Sequence, residues 1–592
     1  MVLSEIIVTG QLALAINRAN TVAFITNTLK NLLILIAYFE QIIKGGYFIV
    51  SKLRNLRSLI CSVPALVFIF LFICMCTFTF SLKAAEVENK LVVNVDQGKD
   101  TISRFIYGHF IEHLGRAIYD GIYVGENSKI PNIDGIRKDI VEALKEIKVP
   151  VLRWPGGCFA DEYHWMDGIG PKDQRPRRVN TSWGGVIDDN SFGTHEYMKL
   201  IELLGCEPYI GANVGTGSPK EMADWIEYLT YDGNSTLADL RRQNGREEPW
   251  QIKYWGIGNE CWGCGGAMTP EYYADLMRQY SNFCEDLSGN QLYRVASGAN
   301  SNDYYWTEVL MREQKNRDAF QGVSVHYYAR LPEWSAPGSW REMTGVSATN
   351  FNEEGWFNIL HSALKMDELI TKHSAIMDKY DPDKTKGLMV DEWGTWYNVE
   401  FGTNPEFLFQ QNTLRDAIVA STTLDIFNKH CDRVKMANIA QTVNVLQAMI
   451  LTKEEQMVKT PTYYVFKMYT VHHDAMKLPT NLTSEDYRYG DESIPALSAT
   501  ASKDANGLIH ITMTNLNPNE DLNVIVDLRG FNKNNVTINN SQIITGEKIN
   551  SYNDFGLPEE VNIKQYYGKS NIPSKTFQIT VPAKSIIMLE LI

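Results

Sequence analysis

Glu260 and Glu392 are the two residues of this 592-residue chain whose setting points most directly to a reaction. Each ends an apolar run: Tyr254-Trp-Gly-Ile-Gly-Asn-Glu260 in one case, Gly387-Leu-Met-Val-Asp-Glu392 in the other. Hydrolysis of a glycosidic bond needs one carboxyl group to protonate the leaving oxygen and a second on the opposite side of the anomeric carbon. Glu260 follows Asn259 and sits among Trp255, Trp262 and several glycines, an apolar setting suited to the acid/base. Glu392 is then the candidate nucleophile, and Arg153, at the end of a third apolar run, can hold it ionised. A single strand-end glutamate is more often a helix cap or an arginine partner. Two of them, in matched Asn-Glu and Asp-Glu-Trp contexts, favour the catalytic reading.

Other chemistries fit less well. His109-Phe-Ile-Glu112-His113 matches the inverted zinc-protease pattern, but that motif requires a helix and a further ligand. Here Ile106-Tyr-Gly-His-Phe110 reads as a strand entering a loop, and Glu112 reads as an acceptor for sugar hydroxyls. No GxSxG accompanies a serine triad, and no glycine-rich phosphate loop follows a strand. Cys261-Trp-Gly-Cys264 has CxxC spacing without a second pair to complete a zinc site, so a packing role beside Glu260 is expected. No metal and no cofactor is expected.

The elements that must carry these acids alternate. Apolar strand-like runs occur near 106–110, 149–155, 207–213, 254–260, 293–298, 323–328, 387–393 and 435–444. Helical spacing separates them at Asp134–Lys148 (Asp134 as cap), Thr194–Leu204, Thr269–Gly289, Trp356–Tyr380 and Leu414–Lys429. Eight β-runs with intervening helices predict an α/β fold, a (β/α)8 barrel, with Glu260 ending strand four and Glu392 ending strand seven. Beyond Leu478 the pattern changes to period-two alternation with Asn/Gly/Pro turns, as in Leu508–Thr514, Leu522–Leu528, Thr576–Val581 and Ser585–Leu591. That texture predicts an all-β sandwich, jelly-roll-like, and the stray strand Leu91–Val95 is expected to join it. The resulting division is an N-terminal extension at 1–58, a signal peptide or membrane anchor at 59–85, the joining strand at 86–104, the catalytic barrel at 105–478 and the sandwich at 479–592.

Residues 59–80 are strongly apolar and follow Lys52, Arg54 and Arg57, so they read as the core of a secretory signal cleaved near Ala84 or Ala85. Leu82 or Lys83 at the −3 position makes that site imperfect, and a retained single-span anchor is the alternative. The expected location is therefore outside the cytoplasm or at a membrane. Residues 1–50 carry a second apolar patch and read as an over-extended start or an extra anchor. A net charge of −14 argues against a nucleic-acid partner, which calls for a basic face.

Four segments resemble one family when taken together: Tyr107-Gly-His-Phe-Ile-Glu-His-Leu-Gly115, Leu152-Arg-Trp-Pro-Gly-Gly-Cys-Phe-Ala-Asp161, Gly258-Asn-Glu260 and Val390-Asp-Glu-Trp-Gly-Thr-Trp-Tyr397. They are similar to the α-L-arabinofuranosidases of glycoside hydrolase family 51, over residues 88–592 and in the expected order. The resemblance implies a retaining, exo-acting enzyme with Glu260 as acid/base and Glu392 as nucleophile, their carboxyl groups about 5–5.5 Å apart. It implies a furanose pocket of Glu112, Cys158, Asn259, Tyr328 and Gln441, with Arg153 on the nucleophile and Trp183 and Trp396 shaping the walls. Tyr328 belongs to the His326-Tyr-Tyr segment, in which Tyr327 is the competing choice and His326 a further candidate. The implied partner is an arabinose-containing oligosaccharide or polysaccharide, with homo-oligomer formation left open. The alternatives are an endo-glucanase or xylanase on the same barrel, and a non-catalytic sugar-binding protein.

Overall fold

Eight parallel strands close on themselves in this computed structural model, which describes residues 88–314, 318–331 and 346–592. In chain order they are Gly108–Phe110, Val151–Trp154, Glu207–Ala212, Tyr254–Ile257, Tyr293–Asn300, Gly322–Ala329, Gly387–Thr395 and Val434–Ile439. Strand eight pairs with strand one through Asn438 and Gly108, which closes the barrel. Gly108 allows that closure: a Cβ there would lie 2.5 Å from the Asn438 side chain and 2.7 Å from the Ala437 carbonyl. The targeting segment expected at 59–85 lies outside the described residues.

Helices cover the outside of the barrel. Pro270–Asn282 shows how sequence sets one: Thr269 caps it by accepting from the Tyr272 amide, proline fills the first position, and Tyr273, Ala274, Met277 and Tyr280 face inward. It ends at Asn282, seven residues before the expected Gly289. The expected start at Asp134 is also corrected. Asp134 occupies the left-handed turn of a small hairpin, Asn132–Ile133 with Ile136–Arg137, and the helix runs Lys138–Glu146. Ile136 is buried as the apolar spacing required, but as a strand residue. Arg104–Tyr107 forms a 3-10 turn, so strand one begins only at Gly108.

The helix Leu414–Lys429 is buried almost all round because it lies between the barrel and the second domain, against strands Leu497–Lys503 and Ile509–Asn515. That domain is a sandwich of two sheets. One contains Thr480–Thr483, Asn89–Asn94, Leu522–Arg529 and Thr576–Val581 in that order; the other is centred on Leu497–Lys503, Ile509–Asn515, Ser585–Leu591 and Val536–Ile544. The N-terminal strand pairs parallel to Leu522–Arg529, so the chain enters the sandwich before it builds the barrel.

The barrel interior is filled at one end by Val151, Tyr209, Tyr254, Val295, Met389 and Met436. Those residues come from the starts or middles of their strands, which leaves the C-terminal strand ends to carry polar groups.

Candidate active site

Strand seven carries one residue more than either neighbour beside the acids. Met389 to Glu392 spans what Ser324 to His326 spans on strand six, and Val390 to Trp393 spans what Ala437 to Ile439 spans on strand eight. A regular strand would send Asp391 and Glu392 to opposite faces; this bulge lets both reach the same polar cluster. Asp391 accepts from the Tyr209 hydroxyl at 2.7 Å and from His326 Nε2 at 3.0 Å. Glu392 accepts from Arg153 at 2.9 Å and from the Tyr328 hydroxyl at 2.9 Å. Asp391 was not among the candidates from sequence, although the adjacent Asp-Glu pair was visible.

Glu260 follows strand four on a tight turn. Gly258 and Glu260 both have positive φ, 79° and 41°, and a Cβ on Gly258 would lie 2.6 Å from Cys261 Sγ. A non-glycine residue in the left-handed region costs on the order of 1 kcal/mol and is held by its surroundings. Asp161, also missed from sequence, does much of the holding. Its carboxylate accepts from the amides of Val214 (2.6 Å), Asn259 (2.8 Å) and Gly215 (2.9 Å), and burial pushes its pKa up to about 7 against those bonds.

His326 joins the two acids. Its Nδ1 is 2.9 Å from Glu260 Oε1 and 3.4 Å from Glu392 Oε2. Burial opposes its charge, but Glu392, Asp391 and Glu260 outweigh burial and raise its pKa to about 10. The imidazolium donates from both nitrogens. Burial likewise opposes the Arg153 charge, and Asp391 with Glu392 hold it well above its ordinary value. Two cations therefore face the anions Asp391 and Glu392. Burial still raises the pKa of Glu392 above the usual carboxylate range, with His326 and Arg153 resisting. Atoms of Glu260, His326 and Glu392 all lie within 4.8 Å of one another.

The cavity over these acids has a volume of about 430 Å³. Glu112, Cys158, Trp183, His326, Tyr328, Trp396 and Gln441 line it with the two acids. Asn259 and Arg153 lie behind the wall, where Asn259 Oδ1 accepts from Arg153. Glu112 accepts from Trp183 Nε1 (2.7 Å), the Phe159 amide (3.0 Å) and Gln441 Nε2 (3.0 Å). Burial nevertheless raises its pKa to about 7, and Glu392 adds to the rise. Gly156 and Gly157 make this crowding tolerable: a Cβ on Gly156 would lie 2.3 Å from the Glu112 side chain. Gln441 Oε1 is buried without a partner among the described residues, an acceptor suited to a sugar hydroxyl. Of the two tyrosines, Tyr328 turns to Glu392 while Tyr327 donates outward to the Ser362 carbonyl. Trp396 packs edge-on to Tyr328, and Arg330, unanticipated from sequence, lies 4.3 Å over the Trp396 ring. A larger cavity of about 680 Å³ adjoins this one through Ser301, Tyr327, Tyr328 and Arg330, but it contains neither paired acid.

The HxxEH residues diverge. His109 is buried in strand one against Phe466, and His113 receives the Trp154 indole N–H on Nε2 while its Nδ1 pairs with Asp188 at 2.6 Å. The CxxC expectation is corrected as well. Cys264 does not simply pack beside Glu260 but forms a disulfide with Cys158, 106 residues away, while Cys261 is buried and free.

Comparison with known proteins agrees with this geometry. Residues 143–336 match the family model described as "Alpha-L-arabinofuranosidase 1 domain", and residues 391–585 match "Alpha-L-arabinofuranosidase C-terminal domain". A Bacteroides ovatus protein named "Intracellular exo-alpha-L-arabinofuranosidase" is 52% identical over 509 residues, 86% of this chain and 96% of that one. The chain belongs to the glycoside hydrolase family 51 α-L-arabinofuranosidases. A family 51 arabinofuranosidase structure from Xanthomonas axonopodis pv. citri superimposes with a TM-score of 0.82 at 49% identity, covering 86% of this chain and 100% of that one. A Thermotoga maritima α-L-arabinofuranosidase, solved as an arabinose complex, gives 0.70 at 32% identity over 85% of this chain and 99% of that one.

The family relationship overturns one expectation. The 52% identical relative is named as intracellular, which contradicts the export or membrane anchoring read from residues 59–85. Among the described residues no helix is long and apolar enough to cross a membrane. An apolar run after basic residues is only part of an export signal, and the bulky −3 residue already broke the pattern that cleavage needs.

Proposed function

We propose that this protein is a retaining, exo-acting α-L-arabinofuranosidase that removes terminal arabinofuranosyl residues from arabinose-containing glycans, including hemicellulose side chains. Glu392 attacks the anomeric carbon while Glu260 protonates the departing oxygen. Glu260 then takes a proton from water, and that water releases arabinose from the glycosyl ester. The observation that carries this reading is the closeness of the two carboxylates, whose facing atoms lie within 4.8 Å. Inverting enzymes keep their carboxyl groups about 6.5–9.5 Å apart to admit a water, and retaining enzymes about 5–5.5 Å.

The other residues have roles that follow from their contacts. Arg153 and Tyr328 aim and ionise Glu392. Glu112 and Gln441 offer hydrogen bonds to ring hydroxyls, Asn259 braces Arg153 from behind the wall rather than lining the pocket as expected, and Trp183, Trp396 and Cys158 bound the pocket. The cavity of about 430 Å³ is within the usual ligand-pocket range of about 300–1,000 Å³ and has room for one terminal sugar over the two acids.

A panel of nitrophenyl glycosides tests the proposal with wild type and Glu260→Ala. Turnover of the α-L-arabinofuranoside, strongly reduced in the variant, supports it. Chain scission of glucan or xylan without arabinofuranoside turnover contradicts it.

A further inference from the structure

Cys158 and Cys264 bring two sulfur atoms to the rim of the cavity, beside the carboxylate assigned as acid/base. Cys158 comes from the turn after strand two and Cys264 from the loop after strand four, with Cα atoms 5.5 Å apart. Both line the cavity, and Cys264 is exposed. Cys264 Sγ lies 3.5 Å from Glu260 Oε2, and the two sulfurs and a carboxylate oxygen are all within 4.8 Å of one another.

Those distances have a chemical meaning. With Zn–S about 2.3 Å and Zn–O about 2.0 Å, tetrahedral geometry places sulfur and oxygen ligands about 3.5 Å apart and two sulfurs about 3.8 Å apart. The sulfur–oxygen distance already matches. Only the sulfur pair has to move, from bonding distance to ligand spacing. The bland reading is that the disulfide simply ties two loops together. That reading leaves unused the approach of Glu260 Oε2 to Cys264 Sγ. The neighbouring set of Glu260, His326 and Glu392 is a poorer site, because both His326 nitrogens donate and none is left to bind a metal.

We propose that reduction of the Cys158–Cys264 disulfide creates a zinc site of two thiolates and the Glu260 carboxylate, and that metal bound there silences hydrolysis. The silencing rests on Glu260 being the acid/base. A dithiol supplies the reduction: its two sulfurs join, and its two electrons and two protons convert the disulfide to two thiols. Zinc then displaces both thiol protons, so binding tightens as pH rises. The fourth coordination position faces the cavity and takes water. The oxidised protein has no thiolates to offer and stays active in zinc.

The test uses the full chain, oxidised or reduced with a phosphine, which becomes its oxide with oxygen from water and leaves two thiols. Cobalt(II) is the probe, because a thiolate–cobalt charge-transfer band reports sulfur ligation independently of activity. The band is expected for reduced wild type at one metal per chain, and not for the oxidised protein or for reduced Cys264→Ser. Zinc at ten times its dissociation constant should slow reduced wild type about eleven-fold and leave the oxidised form within about twofold. Absence of the band from the reduced protein overturns the site, even if arabinofuranoside is hydrolysed normally. A band with undiminished hydrolysis, or equal zinc inhibition of both redox forms, overturns the silencing. A band in a protein that hydrolyses no arabinofuranoside leaves the metal site standing and sinks the catalytic reading instead.

Discussion

Tyr327 and Tyr328 are adjacent in sequence and opposite in direction, which makes their phenylalanine variants a sharp test of the site. Tyr328→Phe removes the hydroxyl that donates to Glu392 Oε2 at 2.9 Å. A hydrogen bond to a charged acceptor contributes about 1.5–3 kcal/mol, so kcat/KM on an aryl arabinofuranoside should fall about 10- to 150-fold. The pH profile carries a second signature. The lost bond favoured ionised Glu392, whose pKa is already raised by burial, so the variant's pKa rises further. Activity depends on the ionised form, and the acidic limb therefore moves upward by about one pH unit or more. Tyr327→Phe loses a bond to the Ser362 carbonyl instead and should cost about 1 kcal/mol of stability with activity kept. Initial rates from pH 4 to 9 and thermal melts of both variants provide the assay. Equal activity losses in the two variants, or an unmoved acidic limb in Tyr328→Phe, would refute the placement of Glu392 as nucleophile.

Three further outcomes are expected. Glu392→Ala should lose nearly all turnover and regain it with azide, giving a product of inverted configuration; rescue with retained configuration would argue against a nucleophile at this position. Asp161→Asn places an amide among three backbone N–H donors and should cost about 2–3 kcal/mol, read as a lower melting temperature. Asp425 lies buried between barrel and sandwich, accepts from Tyr469 and Ser498, and has its pKa pushed up to about 7 by burial. Its folded pKa exceeds the unfolded one, so the folded protein binds the extra proton and stability falls as pH rises from about 4 to 7. Asp425→Asn should flatten that slope; an unchanged slope would assign it to other groups.

The barrel and the two acids were legible because both rest on local patterns. Apolar runs mark strands buried on both faces, and a carboxylate directly after such a run falls at the strand end where barrels build their sites. The helix Leu414–Lys429 showed its limits in sequence even though tertiary packing buries it all round. What stayed hidden depends on register or on distant contacts. The bulge that aims both Asp391 and Glu392 at one cluster has no period of its own, because it is defined against strands six and eight. The disulfide joins cysteines 106 residues apart, a partnership that CxxC spacing says nothing about. Asp161 looked like the end of a motif, whereas its work is to accept amides from two other strand ends. The helix Pro219–Thr230 is a different case. Its Ser218-Pro219-Lys220-Glu221 start carries a capping pattern legible in sequence, with Ser218 accepting from the Glu221 amide. The apolar N-terminal run misled because hydrophobicity alone does not define an export signal.

The central claim is that Glu392 forms a covalent bond with the sugar. Glu260→Ala, given an arabinofuranoside with a good leaving group, can still complete the first step but lacks the base for the second. Mass spectrometry of peptides from that reaction should find one pentosyl group on the peptide containing Glu392. An unlabelled Glu392 peptide during turnover, or a pentosyl group on a different residue, would contradict the account.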